Sequence, residues 1–377
     1  MQSLDEFSVP SEVLGVAPEI VDKALASASA KLAKEIEKVV RLSMEVRSRI
    51  EQRVDIFTLR RAEKPSNLCY VAVDSGYTAP AIELTGGYLA IIKVVTVVYG
   101  SACSKTTAEA EVHVGVWFNE DITSLAAKIL ERRKAIELLE AKKKGEAYFD
   151  VLVVDGELAP RGFRDMRPPA FSKFIELSNS VIKLADASDT PVVGVLKRSY
   201  ARDIVNILGF HELKLSDRAV LSLVLKPGEY LVAGDYAKLR EELEKLREKP
   251  GVDSKWLKAR LAWYDGLLEN IVGWSLKLAF YRAEKTLFPT ATKVEYTVAK
   301  SLREDELLSS LMAISRGTGI PAPVDQADAF SKVTRELRQT VYQKLIAEVS
   351  KRVKVEPTTR YILLSLMNPE KYSSLLG

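Results

Sequence analysis

Two aspartates stand where strand-like apolar runs stop: Asp74 ends the run in VAVDSG and Asp155 ends the run in VLVVDGEL, each with a glycine within two residues. A carboxylate leaving the carboxyl end of a buried strand faces the crevice in which open α/β sheets bind ligands. If the two strands are parallel neighbours, both aspartates emerge at one sheet edge and could share a cation. Two divalent metals about 3.5–4 Å apart, held by such oxygens, activate water and stabilise the leaving oxygen in phosphodiester hydrolysis. A single aspartate at a strand end is more often a turn-former or cap, so the argument rests on the pair. Glu137 lies one residue past Ile136, at the border of an apolar helical stripe, and Glu140 borders the same stripe. On pattern alone either is usually a solvated glutamate. Lys197 follows Leu196 at a strand end, where an ammonium could meet a phosphate, although a lysine leaving a strand is exposed by default.

Other chemistries fall away. The chain of 377 residues holds two histidines, His113 and His211, and neither has a cysteine or second histidine at metal-ligand spacing. Zinc-finger and HExxH chemistry are thereby excluded. There is no GxSxG elbow, no GxxxxGK[ST] loop and no GxGxxG fingerprint; Gly317-Thr318-Gly319 lacks the third glycine. Lys plus Arg number 55 against 51 for Asp plus Glu, a balance that permits a local basic groove without demanding one. Cys69 and Cys103 read as buried free thiols of a reducing compartment. With no apolar run of membrane-spanning length and no secretory leader, the expected location is the cytoplasm. Abundant Lys and Glu with few His, Cys and Met is a compositional bias of hyperthermophile proteins.

The elements that must position these residues follow from periodicity. Ile20, Leu25, Leu32, Ile36, Val40 and Ile50 recur at helix-like intervals between Pro18 and Val54, predicting a long amphipathic helix that packs on the core as an N-terminal arm. Strands are expected over Cys69 to Val73, Tyr88 to Tyr99 and Thr107 to Phe118, then a helix from Asp121 to about Lys144. Strand Phe149 to Val154, helix Phe171 to Ala187, strand Val192 to Leu196 and a helix beyond Tyr200 give the alternation of a parallel half-sheet. A meander followed by parallel crossovers is the arrangement of an RNase H-like core. Between Asp235 and Lys249, five acidic and five basic residues surround a seam of Tyr236, Leu239, Leu243 and Leu246 that Pro250-Gly251 ends. This segment reads as a protein-contact insertion, its partner being this chain's own helix after Ser254, a second subunit or a separate partner protein. A hairpin of Leu276 to Arg282 with Lys293 to Ala299 and helices Glu304 to Ser315 and Val324 to Lys351 complete the pattern.

Taken together, VAVDSG with Asp74, RRKAIELLEA with Glu137, VLVVDGEL with Asp155, GVLKRS with Lys197 and GTGIPAPVDQADAFSKV with Asp328 resemble the NurA family of archaeal nucleases in order and spacing over about residues 68–335. The resemblance implies an RNase H-like mixed sheet flanked by helices, with a long N-terminal helix and a helical insertion. It implies a metal-dependent nuclease, a single-strand endonuclease and 5′ to 3′ exonuclease on DNA. Manganese or magnesium would be the cofactor, with a two-metal site. It further implies a homodimer working with a HerA-type hexameric helicase-translocase to resect DNA ends for recombination repair. Asp74, Glu137, Asp155 and Asp328 would be the catalytic metal ligands, and Lys197 would bind substrate. Many family members carry histidine where this chain places Asp328, and Asp-Gly-Ser or Asp-Gly-Gly where it has Asp-Ser-Gly. The expected organisation is a helical arm over 1–60, a nuclease domain over 61–352 with the insertion at 235–272, and a C-terminal extension over 353–377. Two other readings share the fold: a noncatalytic nucleic-acid-binding or scaffold protein, and another RNase H-like endonuclease, structure-selective or RNA-cutting.

Overall fold

The computed structural model describes residues 18–84, 87–117, 122–160, 169–270, 276–288 and 290–352. Helix α1 (Pro18–Gln52) leads into strands β1 (Thr58–Arg61), β2 (Tyr70–Tyr77), β3 (Ile82–Leu84), β4 (Gly87–Tyr99) and β5 (Thr107–Trp117). Then come α2 (Ile122–Lys143), β6 (Val151–Asp155), α3 (Pro169–Ala187), β7 (Val192–Leu196), α4 (Asp203–Ile207), α5 (Asp217–Val224), β8 (Glu229–Asp235), α6 (Tyr236–Glu244) and α7 (Ser254–Asn270). The chain continues through β9 (Lys277–Arg282), β10 (Thr292–Tyr296), α8 (Glu304–Ile314), the short pair β11 (Ser315–Arg316) and β12 (Ile320–Pro321), α9 (Ala322–Ser331) and α10 (Arg335–Arg352).

One sheet of ten strands runs in the order β1-β8-β9-β10-β7-β6-β2-β4-β3, with β5 on β4 as well. Its core, β5-β4-β2-β6-β7, is the expected RNase H-like pattern: an antiparallel meander joined to two parallel strands. Beyond β7 the sheet continues antiparallel through β10, β9, β8 and β1, of which the sequence reading anticipated only the β9 and β10 hairpin. The period of two sorts each central strand between two cores. Val71, Val73, Leu152 and Val154 face a layer that includes α1 to α7, whereas Tyr70, Ala72, Val151 and Val153 face α8 and α9. Strands buried on both faces explain why β6 and β7 read as unbroken apolar runs.

Three expectations are corrected. First, Cys69 and Cys103 form a disulfide, Cα to Cα 4.8 Å. The β2 and β4 pairing Tyr70↔Tyr99 brings the start of one strand to the turn after the other, so residues far apart in sequence meet. Second, of the row expected to pack only Ile50 is buried: Ile20, Leu25, Leu32, Ile36 and Val40 of α1 are exposed, and Val39, Val46 and Ile50 make its core contact, so the helix meets the core through its second half and along a different face. Third, the helix expected from Val324 to Lys351 is two, because Lys332 takes extended backbone at the end of α9.

The seam of 235–249 has found its partner within the chain. Leu239, Leu243 and Leu246 are fully buried and α6 packs on α7, with the Tyr236 ring 6.0 Å from that of Trp263 and 5.9 Å from that of Tyr264. No described helix is long and apolar enough to cross a membrane. The proposed extension at 353–377 lies outside the described residues.

Candidate metal centre

The parallel register of β2 and β6 pairs Val73 with Val154, so Asp74 and Asp155 emerge side by side at the carboxyl edge of the sheet. They follow Ala72 and Val153 on the period of two and therefore point to the face that α9 covers. Asp328 enters from α9. One oxygen from each of Asp74, Asp155 and Asp328 lies within 4.8 Å of the others. Burial falls from Asp74, 6% exposed, through Asp155 to the half-exposed Asp328 side chain. Lys197, two residues beyond the β7 partner of Asp155, reaches into the group: its Nζ is 2.8 Å from Asp155 Oδ2 and 3.3 Å from Asp328 Oδ1.

This arrangement is strained electrostatically. Burial raises the Asp74 carboxyl above its ordinary range despite the 2.6 Å hydrogen bond donated by Ser331 Oγ. Burial, opposed by Lys197 and assisted by Asp74, pushes Asp155 up to about 6. Burial alone would pull the Lys197 ammonium down, but Asp155 and Asp328 hold it above its usual value. Three hard oxygens converging where ionisation is penalised suit a divalent cation such as Mg²⁺ or Mn²⁺, which favours carboxylate and needs neither His nor Cys.

The helix carboxylate that approaches the site is Glu131. Glu137 is 62% exposed and pairs with Lys134 at 3.3 Å, remote from the three aspartates, and Glu140 is exposed as well. The reason is helical phase: six residues along α2, Glu137 points roughly 120° away from Glu131. Glu131 is 3% exposed, accepts from Ser75 Oγ at 3.2 Å and is paired with Arg132 Nη1 at 2.7 Å. Burial, with Asp74 and Asp155 adding repulsion, lifts its carboxyl to about 8 against the pull of Arg132. Because Ser75 alternates with Asp74, Glu131 sits over the opposite face of the sheet, behind the metal edge. A sequence signal for it existed. Thr123, Ala127, Glu131, Ala135 and Leu139 form a buried row at every fourth residue, whose small side chains are less conspicuous in the sequence than the larger apolar residues beside it. Asp325, one turn before Asp328, is a further carboxylate raised by burial; it accepts from Thr318 Oγ1 at 3.1 Å.

Local backbone makes the site possible. A Cβ on Gly76 would lie 2.1 Å from the Ser331 carbonyl oxygen, so only glycine lets the end of α9 rest on β2. A Cβ on Gly194 would lie 2.6 Å from the Gly156 carbonyl oxygen, which keeps β7 close to the turn after Asp155. The buried Glu295 carboxylate of β10 accepts from the backbone amides of Leu158 and Ala159, at 2.8 and 3.0 Å, and pins that turn.

The NurA domain model matches residues 69–333. Among solved structures, the NurA nuclease from Sulfolobus solfataricus is 14% identical over 91% of this chain and 100% of its own, with a TM-score of 0.55. A structure of NurA bound to dAMP and manganese is 12% identical over 91% of this chain and 99% of its own, with a TM-score of 0.49. No curated protein sequence matches the chain.

Proposed function

The chain belongs to the NurA family, a family of metal-dependent nucleases, and we propose that it is a manganese- or magnesium-dependent deoxyribonuclease. It cuts single strands internally and from the 5′ end in the resection of DNA ends for recombination repair. The observation that carries this reading is the convergence of Asp74, Asp155 and Asp328 within 4.8 Å, with Lys197 ion-paired to two of them. All three aspartates are assigned as metal ligands. A divalent cation there would polarise a phosphodiester and lower the pKa of an attacking water; a second ion would complete the two-metal arrangement.

The protein's own groups do the positioning. Ser331 fixes the Asp74 carboxylate, and Glu131 holds Ser75 from behind the same strand end as a positioning residue. Lys197 balances the carboxylates before metal binds. With a cation held in that role, the Lys197 ammonium would be available to meet a phosphate oxygen of the strand. The remaining assignments are the family's: a homodimer, DNA as substrate and a HerA-type helicase-translocase as partner. The exposed Leu25, Leu32 and Ile36, which share one face of α1, support a protein contact. The disulfide does not exclude the cytoplasm, because intracellular proteins of hyperthermophiles are disulfide-rich, and the Lys and Glu bias of the chain fits that source.

The test is cleavage of end-labelled single-stranded DNA, duplex DNA and RNA by the purified chain with Mn²⁺, Mg²⁺ or EDTA. Asp74→Ala and Asp155→Asn should each abolish cleavage while circular dichroism and melting stay native, since each removes a ligand and relieves repulsion. A variant of either kind that cuts like wild type would sink the assignment, and preferred cleavage of RNA would replace the substrate.

A further inference from the structure

Beyond the end of β7 at Leu196 the chain runs on outside the sheet through Lys197 to Ala201, and the burial of its side chains alternates. Lys197 and Ser199 turn inward, Ser199 being 6% exposed, while Arg198 and Tyr200 turn outward, Tyr200 being 88% exposed. The backbone beneath them is tied down. Arg218 donates to the Lys197 carbonyl and, at 2.8 Å, to that of Ala291. The Asp217 amide donates to the Ala201 carbonyl at 2.8 Å, and the buried Asp217 carboxylate accepts from the amides of Asp203 and Val205 at 2.9 and 3.0 Å. Lys293, buried, reaches Ser199 Oγ at 3.4 Å. An aromatic ring held in water on so firmly anchored a segment gains nothing for the fold, and among the described residues Arg198 and Tyr200 have no ion-pair or hydrogen-bond partner.

Both flank a cleft of 260 Å³ whose walls include Ser216, Arg218 and Thr290 and, among the described residues, no carboxylate. It opens beside the metal edge, since Tyr200 is three residues from Lys197, at most about 10 Å of extended chain. Guanidinium, hydroxyls and an aromatic face with no opposing acid are what a flexible sugar-phosphate strand requires: charge and donors for phosphate, and a platform for a base.

We propose that this cleft holds the nucleotide next to the scissile phosphate of a single strand, with Tyr200 stacked on its base and Arg198 paired with its phosphate. The assignment rests on the reading that Asp74, Asp155 and Asp328 cut that strand, and the test separates the two. Binding of a fluorescent single-stranded oligodeoxynucleotide is followed by anisotropy in Ca²⁺, and cleavage is followed separately in Mn²⁺. Tyr200→Ala should weaken binding roughly tenfold and Tyr200→Trp or Tyr200→Phe should restore it, as stacking needs a ring and not the hydroxyl. Arg198→Ala should lower the slope of log affinity against log salt by about 0.7, one phosphate's worth on a single strand. A 2-aminopurine at the bound position should be quenched by wild type and by Tyr200→Trp, and not by Tyr200→Ala. In cleavage, the loss should appear in KM more than in kcat. Tyr200→Ala binding within twofold of wild type, a Tyr200→Phe variant as weak as Tyr200→Ala, or a Tyr200 effect confined to duplex DNA would each overturn the subsite. If wild type binds with the expected Tyr200 dependence and yet cuts nothing in Mn²⁺, single-strand binding by the cleft stands, and the nuclease reading falls together with the place given to a scissile phosphate.

Discussion

Opening the Cys69 to Cys103 disulfide tests the fold at a point away from the chemistry. The bridge spans 34 residues of sequence. In the chain-entropy model a loop of that size, once freed in the unfolded state, costs about 4 kcal/mol of stability. Unfolding entropies of about 2.1 cal/mol/K per residue, taken over the whole chain, convert this into a fall in apparent Tm of about 5 °C. Cys69 is fully buried and Cys103 half-buried, so reductant should enter from the Cys103 side. The assay is melting with and without a phosphine reductant, alongside Cys103→Ser, which spares the buried Cys69 from a cavity. Reduced wild type and Cys103→Ser should melt together, and reductant should leave Cys103→Ser unmoved. Asp74 lies five residues along β2, roughly 17 Å at 3.4 Å per residue, so nuclease activity well below Tm should not depend on the bridge. Thiol titration of denatured protein must show the bridge opened. If it has opened and Tm moves by less than about 1 °C, or if the oxidised protein already titrates two thiols, the reasoning fails.

Asp328→Ala should cut Mn²⁺-dependent turnover by at least about tenfold, whereas Asp328→His should retain part of it in Mn²⁺, since imidazole is a tolerable ligand for that ion; steady-state cleavage rates decide. Lys197→Ala should weaken binding of single-stranded DNA and reduce the salt slope by about one phosphate, read by anisotropy across a salt series. Glu131, lifted to about 8 by burial, keeps its proton in the folded state where the unfolded chain releases it. Its contribution to stability is therefore full below the ordinary glutamate range and is lost as pH rises toward 8. Metal-free wild type should lose melting temperature across that window and Glu131→Gln should lose less, measured by melting in matched buffers.

The central sheet was legible because its strands are buried on both faces and end abruptly. The runs closing at Asp74 and Asp155 carry both the strand positions and the carboxylates, and the order of meander and crossovers carries the core topology. The far wing was less legible: β8 and β1 have partners distant in sequence, and the short β1, Thr58 to Arg61, has two exposed arginines and no apolar run. The disulfide is not legible in the sequence because only the pairing of β2 with β4 brings Cys69 and Cys103 together. For the helix carboxylate, the sequence supplied the right helix and the wrong face. Large apolar residues usually mark the buried stripe, but α2 comes close enough to the sheet that Thr123, Ala127 and Ala135 occupy that row, with Glu131 among them.

The charge balance of the site follows from which of its carboxylates are buried. Three carboxylates face one ammonium, so a divalent cation completes neutrality. An aspartate at position 328 adds a charge that a histidine there would not. That extra charge stands on the wettest of the three carboxylates, Asp328, where desolvation costs least, while the most buried, Asp74, is steadied by a neutral hydroxyl donor, Ser331. Both groups come from α9, one turn apart, and Ser331 Oγ, whose one proton goes to Asp74, also lies 3.1 Å from the Asp328 carbonyl oxygen. The seating of that helix on β2 thus sets the first and last of the three carboxylates at once, and it depends on Gly76, where a Cβ would strike the Ser331 carbonyl. In this chain the glycine follows Asp74 by two residues. That spacing leaves Ser75 between them to face the other layer and meet Glu131, so the order Asp-Ser-Gly serves both faces of the sheet edge.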